Sequence, residues 1–187
     1  MHFEAIRDFE WFNEPEFGFS GGNLAIKAAP CTDFWQDFRH NISKDNGHFF
    51  FTRCKGNFCL NVKWKVSNEY QTGGQSGLMA RINTKNWCKI ALVKNEKKQN
   101  ILTVSVTHSG VSDLAQIPLN GELQEITYRL QLQNGFFLLS FSADGSSFIP
   151  VRQFQPLTDY DVLSVGAYIC SPENMVFNAT LTDIRFA

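Results

Sequence analysis

Residues read at every second position carry the chemistry of this chain: Gln75, Gly77, Met79 and Arg81, then Trp87, Lys89 and Ala91, then Thr103, Ser105 and Thr107. An amide, a guanidinium, an indole, an ammonium and hydroxyls share one side of that alternation. The positions between them read Leu78, Ala80, Ile82, then Cys88, Ile90, Leu92, then Leu102, Val104, Val106. Side chains on a strand alternate faces with a period of two. Three neighbouring strands therefore turn one apolar face to a core and one polar, aromatic face outward. A flat indole packs on the apolar side of a pyranose, while amides, hydroxyls and charged groups bond its hydroxyls. That is the chemistry of recognition, and no catalytic group is evident in it.

The candidate ligand set is Gln75, Arg81, Trp87 and Lys89, with Thr107, Ser112 and Asp113 at the strand end. The plainer alternative is a solvated sheet face on which Lys and Arg stems cover aromatic surface. In Asp33-Phe34-Trp35, Trp35 either sits at the groove rim as a second aromatic platform or plugs the end of the fold, with Asp33 capping a turn. His48 opens the run HFFF. It reads as a ligand donor or general base, or as an imidazole satisfied locally. If the face is open, Trp87→Ala abolishes binding and barely changes stability.

These residues need elements to hold them, and the chain reads as all strand. It has 187 residues, eighteen of them Phe, and a formal net charge of −1. Aromatic enrichment suits half-buried pleated surfaces. Turn signals recur at short intervals, among them Gly21-Gly22, Asp45-Asn46-Gly47, Lys55-Gly56-Asn57, Thr72-Gly73-Gly74, Asn134-Gly135 and Asp144-Gly145. Regular short strands with such punctuation mark a sandwich or barrel. Asn134-Gly135 is the strongest hairpin signal, because both central positions of a type I′ turn need positive φ. Residues 94–98 read as a solvated basic hairpin tip. HFFFT and FLLSFS read as strands buried on both faces. Asp33 to Arg39 reads as a short turn or a single helical turn, and Phe177 to Phe186 as a strand returning beside the N-terminal segment. No linker or repeat divides the chain, so one domain over 1–187 is expected.

The five cysteines, Cys31, Cys54, Cys59, Cys88 and Cys170, fit neither a disulfide framework nor a zinc site. Cys54 and Cys59 flank a turn and could face each other across a hairpin. All five are expected as reduced, mostly buried fillers. His40, His48 and His108 show no metal-ligand spacing, and the oxygen-rich loops show no diagnostic calcium pattern. No metal and no cofactor are expected. Near-neutral charge excludes a global bias toward nucleic acid or an anionic membrane. No run is apolar and long enough to span a bilayer, and the N-terminus has no signal-peptide pattern. A cytoplasmic location is the expectation.

Several phrases stand in a recognisable order: W-F-N-E-P at 11–15, T-D-F-W at 32–35, D-N-G-H-F-F at 45–50, G-N-F at 56–58, Q-S-G-L-M-A-R at 75–81, W-C-K at 87–89, S-V-T-H-S-G-V-S-D at 105–113, S-A-D-G at 142–145 and V-G-A-Y-I-C-S-P at 165–172. In these the chain resembles a domain of unknown function of the concanavalin A-like lectin/glucanase superfamily, whose members are often labelled "regulation of enolase" proteins. The resemblance implies a jelly-roll-like antiparallel β-sandwich with one concave sheet that binds something. It also implies differences. Gly74-Gln75-Ser76 stands where members carry Asp-Gln before Gly-Leu-Met, Ile90 to Val93 where many carry a Glu, and Leu114 where many carry a Trp.

Retaining hydrolases of that superfamily carry Glu-x-Asp-x-x-Glu, which puts two carboxylates on one strand face, ~5 Å apart. No such pattern occurs; Glu14/Glu16 and Asp159/Asp161 lie in loop contexts. G-x-S-x-G, P-loop and G-x-G-x-x-G motifs are absent. The first reading is a non-catalytic module recognising a carbohydrate or similar polar ligand on the concave face. The alternative is an intracellular regulator binding a metabolic enzyme such as an enolase. A glycoside hydrolase comes last.

Overall fold

The computed structural model describes residues 8–66, 73–121, 123–155 and 159–187. Thr72 of the expected 72–74 turn lies outside them. Among the described residues the chain forms strands and no helix. A front sheet runs β1 (Glu10–Phe12), β6 (His48–Cys54), β16 (Leu163–Cys170), β8 (Gln75–Asn83), β9 (Asn86–Lys94), β10 (Asn100–His108) and β11 (Val111–Ser112), with β12 (Ala115–Leu119) also on β10. A back sheet runs β15 (Ile149–Phe154), β14 (Phe136–Ser142), β13 (Glu125–Gln133), β7 (Phe58–Lys65), β17 (Phe177–Phe186), β3 (Asn23–Ala28) and β2 (Glu16–Ser20). A separate hairpin pairs β4 (Phe34–Asp37) with β5 (Ile42–Asp45). The fold is an all-β, jelly-roll-like antiparallel sandwich.

Alternation builds its core. Leu78 and Ala80, Cys88 and Ile90, Leu102 and Val104 face inward from the front sheet. Leu60, Val62, Trp64, Leu130 and Leu181 meet them from the back sheet. Each fully buried large aliphatic or aromatic side chain contributes about 1.5–3 kcal/mol. Two buried polar groups bridge the sheets. The Trp64 indole N–H donates to the Gly77 carbonyl at 3.0 Å, and the Leu92 N–H donates to the Tyr128 hydroxyl at 2.7 Å. Burial holds the Tyr128 phenol well above its ordinary range.

The turns follow their chemistry. Asn134 and Gly135 have φ of 52° and 77° and join β13 to β14, as a type I′ turn requires. In the next turn only Gly145 is left-handed (φ 77°). There the Asp144 carboxylate accepts the N–H groups of Ser146 and Ser147 (2.8 and 2.7 Å) and the Ser142 hydroxyl (2.8 Å). These bonds hold its carboxyl far below the usual carboxylate range. Phe50 enters the inter-sheet core while Phe49 and Phe51 join a second cluster, so HFFFT is buried on both faces. The last strand returns between β7 and β3. Pro118 and Pro150 lie on β12 and β15, at one edge of each sheet.

Two expectations are corrected. Asp33 to Arg39 is no helical turn: residues 34–37 are strand β4, paired to β5 from Phe34↔Asp45 to Asp37↔Ile42. Cys54 and Cys59 do not face each other across a hairpin, because the turn between them carries the chain from the front sheet to the back. Of the five cysteines, expected as mostly buried, Cys88 and Cys170 are buried, Cys54 and Cys59 half-buried and Cys31 exposed. Burial pushes the Cys54 thiol up to about 11 and the Cys88 thiol up to about 12.

Candidate functional site

The register of β8, β9 and β10 builds the rows that the alternation implies. Arg81, Trp87, Thr107 and Ser112 are successive cross-strand neighbours, as are Met79, Lys89 and Ser105, and Gly77, Ala91 and Thr103. On the other side of β8, Gly166 stands beside Met79 and Tyr168 beside Gly77. The face is not solvated, however. Trp87 is 3% exposed, Lys89 5% and Thr107 0%.

The cover is the β4–β5 hairpin. Phe34 is fully buried, 6.2 Å from the Phe12 ring and edge-on to Tyr168 at 6.3 Å. It joins Phe49, Phe51, Met79, Trp87, Ala91, Tyr168 and Cys170 in a second apolar cluster. Gly47 makes room for it: a Cβ there would stand 2.3 Å from Phe34 Cε2. The expected open face is thus corrected. An amphipathic hairpin buries its apolar side on it and removes that area from water.

Polar groups fix the hairpin in register. Lys89 Nζ donates to Asp33 Oδ1 (3.1 Å), the Phe34 carbonyl (2.7 Å) and Gln75 Oε1 (3.2 Å). An ammonium has three donors, and all are used. The Tyr168 hydroxyl also donates to Gln75 Oε1 at 3.1 Å, and burial raises its phenol well above the ordinary range. Arg81 grips Asp45 with two parallel bonds of 2.5 and 2.8 Å, and the Thr84 hydroxyl donates to the same carboxylate at 2.9 Å. The guanidinium lies 4.8 Å from the Phe12 ring centre and 5.9 Å from that of Phe34. Ser112 Oγ accepts the Gln36 N–H at 2.9 Å and lies 2.6 Å from the Thr107 hydroxyl. The Trp87 indole donates to the Thr84 carbonyl at 3.2 Å.

Gln75, Arg81, Trp87, Lys89, Thr107 and Ser112 are therefore together under the hairpin, with Asp33 on it. Trp35 lies on the hairpin's other side, half-buried and opposite Lys44. His48 and Asp113 leave the set. His48 shares the inward side of β6 with Phe50. Its Nε2 accepts the Ala29 N–H (3.1 Å), which leaves Nδ1 to donate to the Asn13 carbonyl (2.5 Å). Both nitrogens are engaged between chain segments, away from this face. Asp113 accepts the Val106 N–H at 2.9 Å and pairs with Arg152 of β15 at 2.6 Å, tying the two sheets at their edge. Both residues stand an odd number of positions from the site-facing ones, which reverses their side.

Phe34, Gln36, Asp45 and Tyr168 belong to the arrangement and were missed in sequence. The one local signal for them is the glycine of D-N-G-H-F-F, which admits a bulky neighbour. Among the described residues no group of three or more His, Cys, Asp and Glu could hold a metal ion. Among the same residues no helix is long and apolar enough to cross a membrane.

Comparison with known proteins agrees with this architecture. "Regulation of enolase protein 1" of Saccharomyces cerevisiae is 25% identical over 175 residues, 92% of this chain and 86% of its own length. A functionally unknown protein from Saccharomyces cerevisiae, known as a crystal structure, superposes with a TM-score of 0.87 at 23% identity, over 98% of this chain and 97% of that one. The GH43 protein BlXynB from Bacillus licheniformis gives 0.76 at 16% identity, over 96% of this chain and 36% of that longer one. The carbohydrate-binding module CBM66 from Bacillus subtilis gives 0.61 at 8% identity, over 97% and 96%. These structural likenesses show a shared fold. At the level of sequence, residues 11–187 match the family described as "Protein of unknown function (DUF1349)", and the chain belongs to it.

Proposed function

We propose that the protein is a non-catalytic recognition module whose ligand, a carbohydrate or similarly polar molecule, binds over the hairpin-capped side of the front sheet. Trp35 carries this reading. It is the aromatic of the candidate set that stays half-exposed, and it is held on a hairpin that the Lys89–Asp33 and Arg81–Asp45 ion pairs fix to the sheet. A ring presented rigidly costs little ordering entropy on binding. Lys44 beside it and the partly accessible Arg81–Asp45 pair supply polar contacts at the rim. Trp87, Lys89 and Gln75 act beneath it as the frame. The module folds of similar shape support the ligand class.

The test is a glycan array probed with the folded protein and with Trp35→Ala. Binding weakened by about tenfold, or about 1.4 kcal/mol, at an unchanged melting temperature supports the reading. Absence of binding by the folded wild type to every glycan refutes it.

A second reading, an intracellular regulator that binds a metabolic enzyme, has its own observation. Phe38 is 68% exposed and Ile42 40% exposed at the hairpin tip. An aromatic projecting from a fixed hairpin suits an interface anchor, and the name of the yeast relative suggests enolase. Titration of purified enolase with wild type and Phe38→Asp separates the two readings: saturable binding lost in the variant favours the regulator.

A further inference from the structure

We infer that the outer face of the back sheet carries a second binding site, for a neutral oligosaccharide, independent of the hairpin-capped side. Gln131, Leu138 and Gln153 are cross-strand neighbours on β13, β14 and β15, and Gln133 and Phe136 form the next row, beside the turn residue Asn134. These six residues line a cleft of about 300 Å³, the small end of the range for ligand sites.

The chemistry of this cleft differs from that under the hairpin, where every donor of Lys89 has an acceptor and Arg81 is gripped by a carboxylate. The four amide side chains of the cleft make no hydrogen bond to another described residue, so their donors and acceptors are available together. No charged side chain lines the cleft. An amide offers two N–H donors and a carbonyl acceptor, and a hydroxyl is both donor and acceptor. A cleft of free amides without charge therefore matches a polyol better than an anion or a cation. Phe136 supplies the complementary surface. It is 40% exposed on the solvent side of β14, available to the apolar side of a sugar ring.

The row from Gln131 to Gln153 crosses three strands and spans about 10 Å, long enough for more than one ring. One row away, Arg129 lies 3.5 Å from the centre of the Phe148 ring and donates from Nε to Asn61 Oδ1 at 2.8 Å, so its charge is engaged outside the cleft. Sites on opposite sheets face away from each other, and one molecule then holds two glycan chains.

The test uses the full chain labelled with ¹⁵N and titrated with xylohexaose and, separately, cellohexaose. The side-chain NH₂ signals of Gln131, Gln133 and Gln153 report on this cleft, and the Trp35 indole signal reports on the hairpin side. The expected result is saturable movement of the glutamine signals with at least one sugar. Phe136→Ala should weaken it about tenfold at an unchanged melting temperature, and Trp35→Ala should leave it unaffected. Glutamine signals that stay still with both sugars, or that move equally in Phe136→Ala, overturn the inference. Movement of the Trp35 signal alone would support the hairpin site and refute this one, so the two readings fail separately.

Discussion

Lys89 shows what a buried cation requires. Its side chain is 6% exposed and its partner Asp33 16%, and three acceptors replace the water it lost. Lys89→Met leaves Asp33 beneath the hairpin without its counter-charge and should destabilise the fold by about 3 kcal/mol, read from urea unfolding. Adding Asp33→Asn should recover part of that loss. Trp87, at 3% exposure, behaves as core: Trp87→Ala should cost about 3 kcal/mol, the reverse of what an open face implies. Asp144 gives a pH signature. Its folded-state carboxyl lies far below the ordinary value of about 3.9 because two backbone N–H groups and a hydroxyl donate to it. The stability this contributes is present above that value and is lost as pH falls through the folded value. Unfolding curves of Asp144→Ala below about pH 4 should therefore fall less steeply with acid than those of the wild type. At this scale the sequence named Gln75, Arg81, Trp87 and Lys89 as one face, because alternation alone determines that. It misplaced His48 and Asp113, which stand next to the site-facing Phe49 and Ser112 and so point to the other side.

Among the elements, the β4–β5 hairpin is the one that sequence concealed. F-W-Q-D is too short for a period of two to stand out, and its partner I-S-K-D is mostly polar. Its strand character comes from what it covers. Alternation distinguishes the two faces of β8, β9 and β10 but does not say whether water or another segment lies on the outer one. The hairpin's dependence on Gly47 is directly testable. The alanine Cβ would stand 2.3 and 2.6 Å from two atoms of the Phe34 ring, so the ring must leave its seat. Gly47→Ala should cost about 1–3 kcal/mol and raise hydrogen exchange in β4 and β5 before the rest of the front sheet. Uniform loosening across both sheets would show instead that the hairpin is no separate unit. Asn134-Gly135, by contrast, was fully legible, because a two-residue turn is set by its own two φ angles.

For the whole molecule, the sandwich architecture was legible from punctuation and alternation, but the order of strands was not. β16 lies between β6 and β8, and β17 between β7 and β3. Those pairings join segments far apart in sequence, where local patterns carry no information. The sheets they close still leave outer strands, and on β12 and β15 these contain Pro118 and Pro150. A proline there removes a donor that a neighbouring chain could accept and breaks the template an open edge presents. This matters more than usual here, because a net charge of −1 supplies little mutual repulsion between molecules. At these two edges the rings supply protection that surface charge does not. Pro118→Val with Pro150→Val should leave the melting temperature within a few degrees while light scattering rises steeply with protein concentration. If the variant stays monomeric at high concentration, the remaining edges are protected by other means.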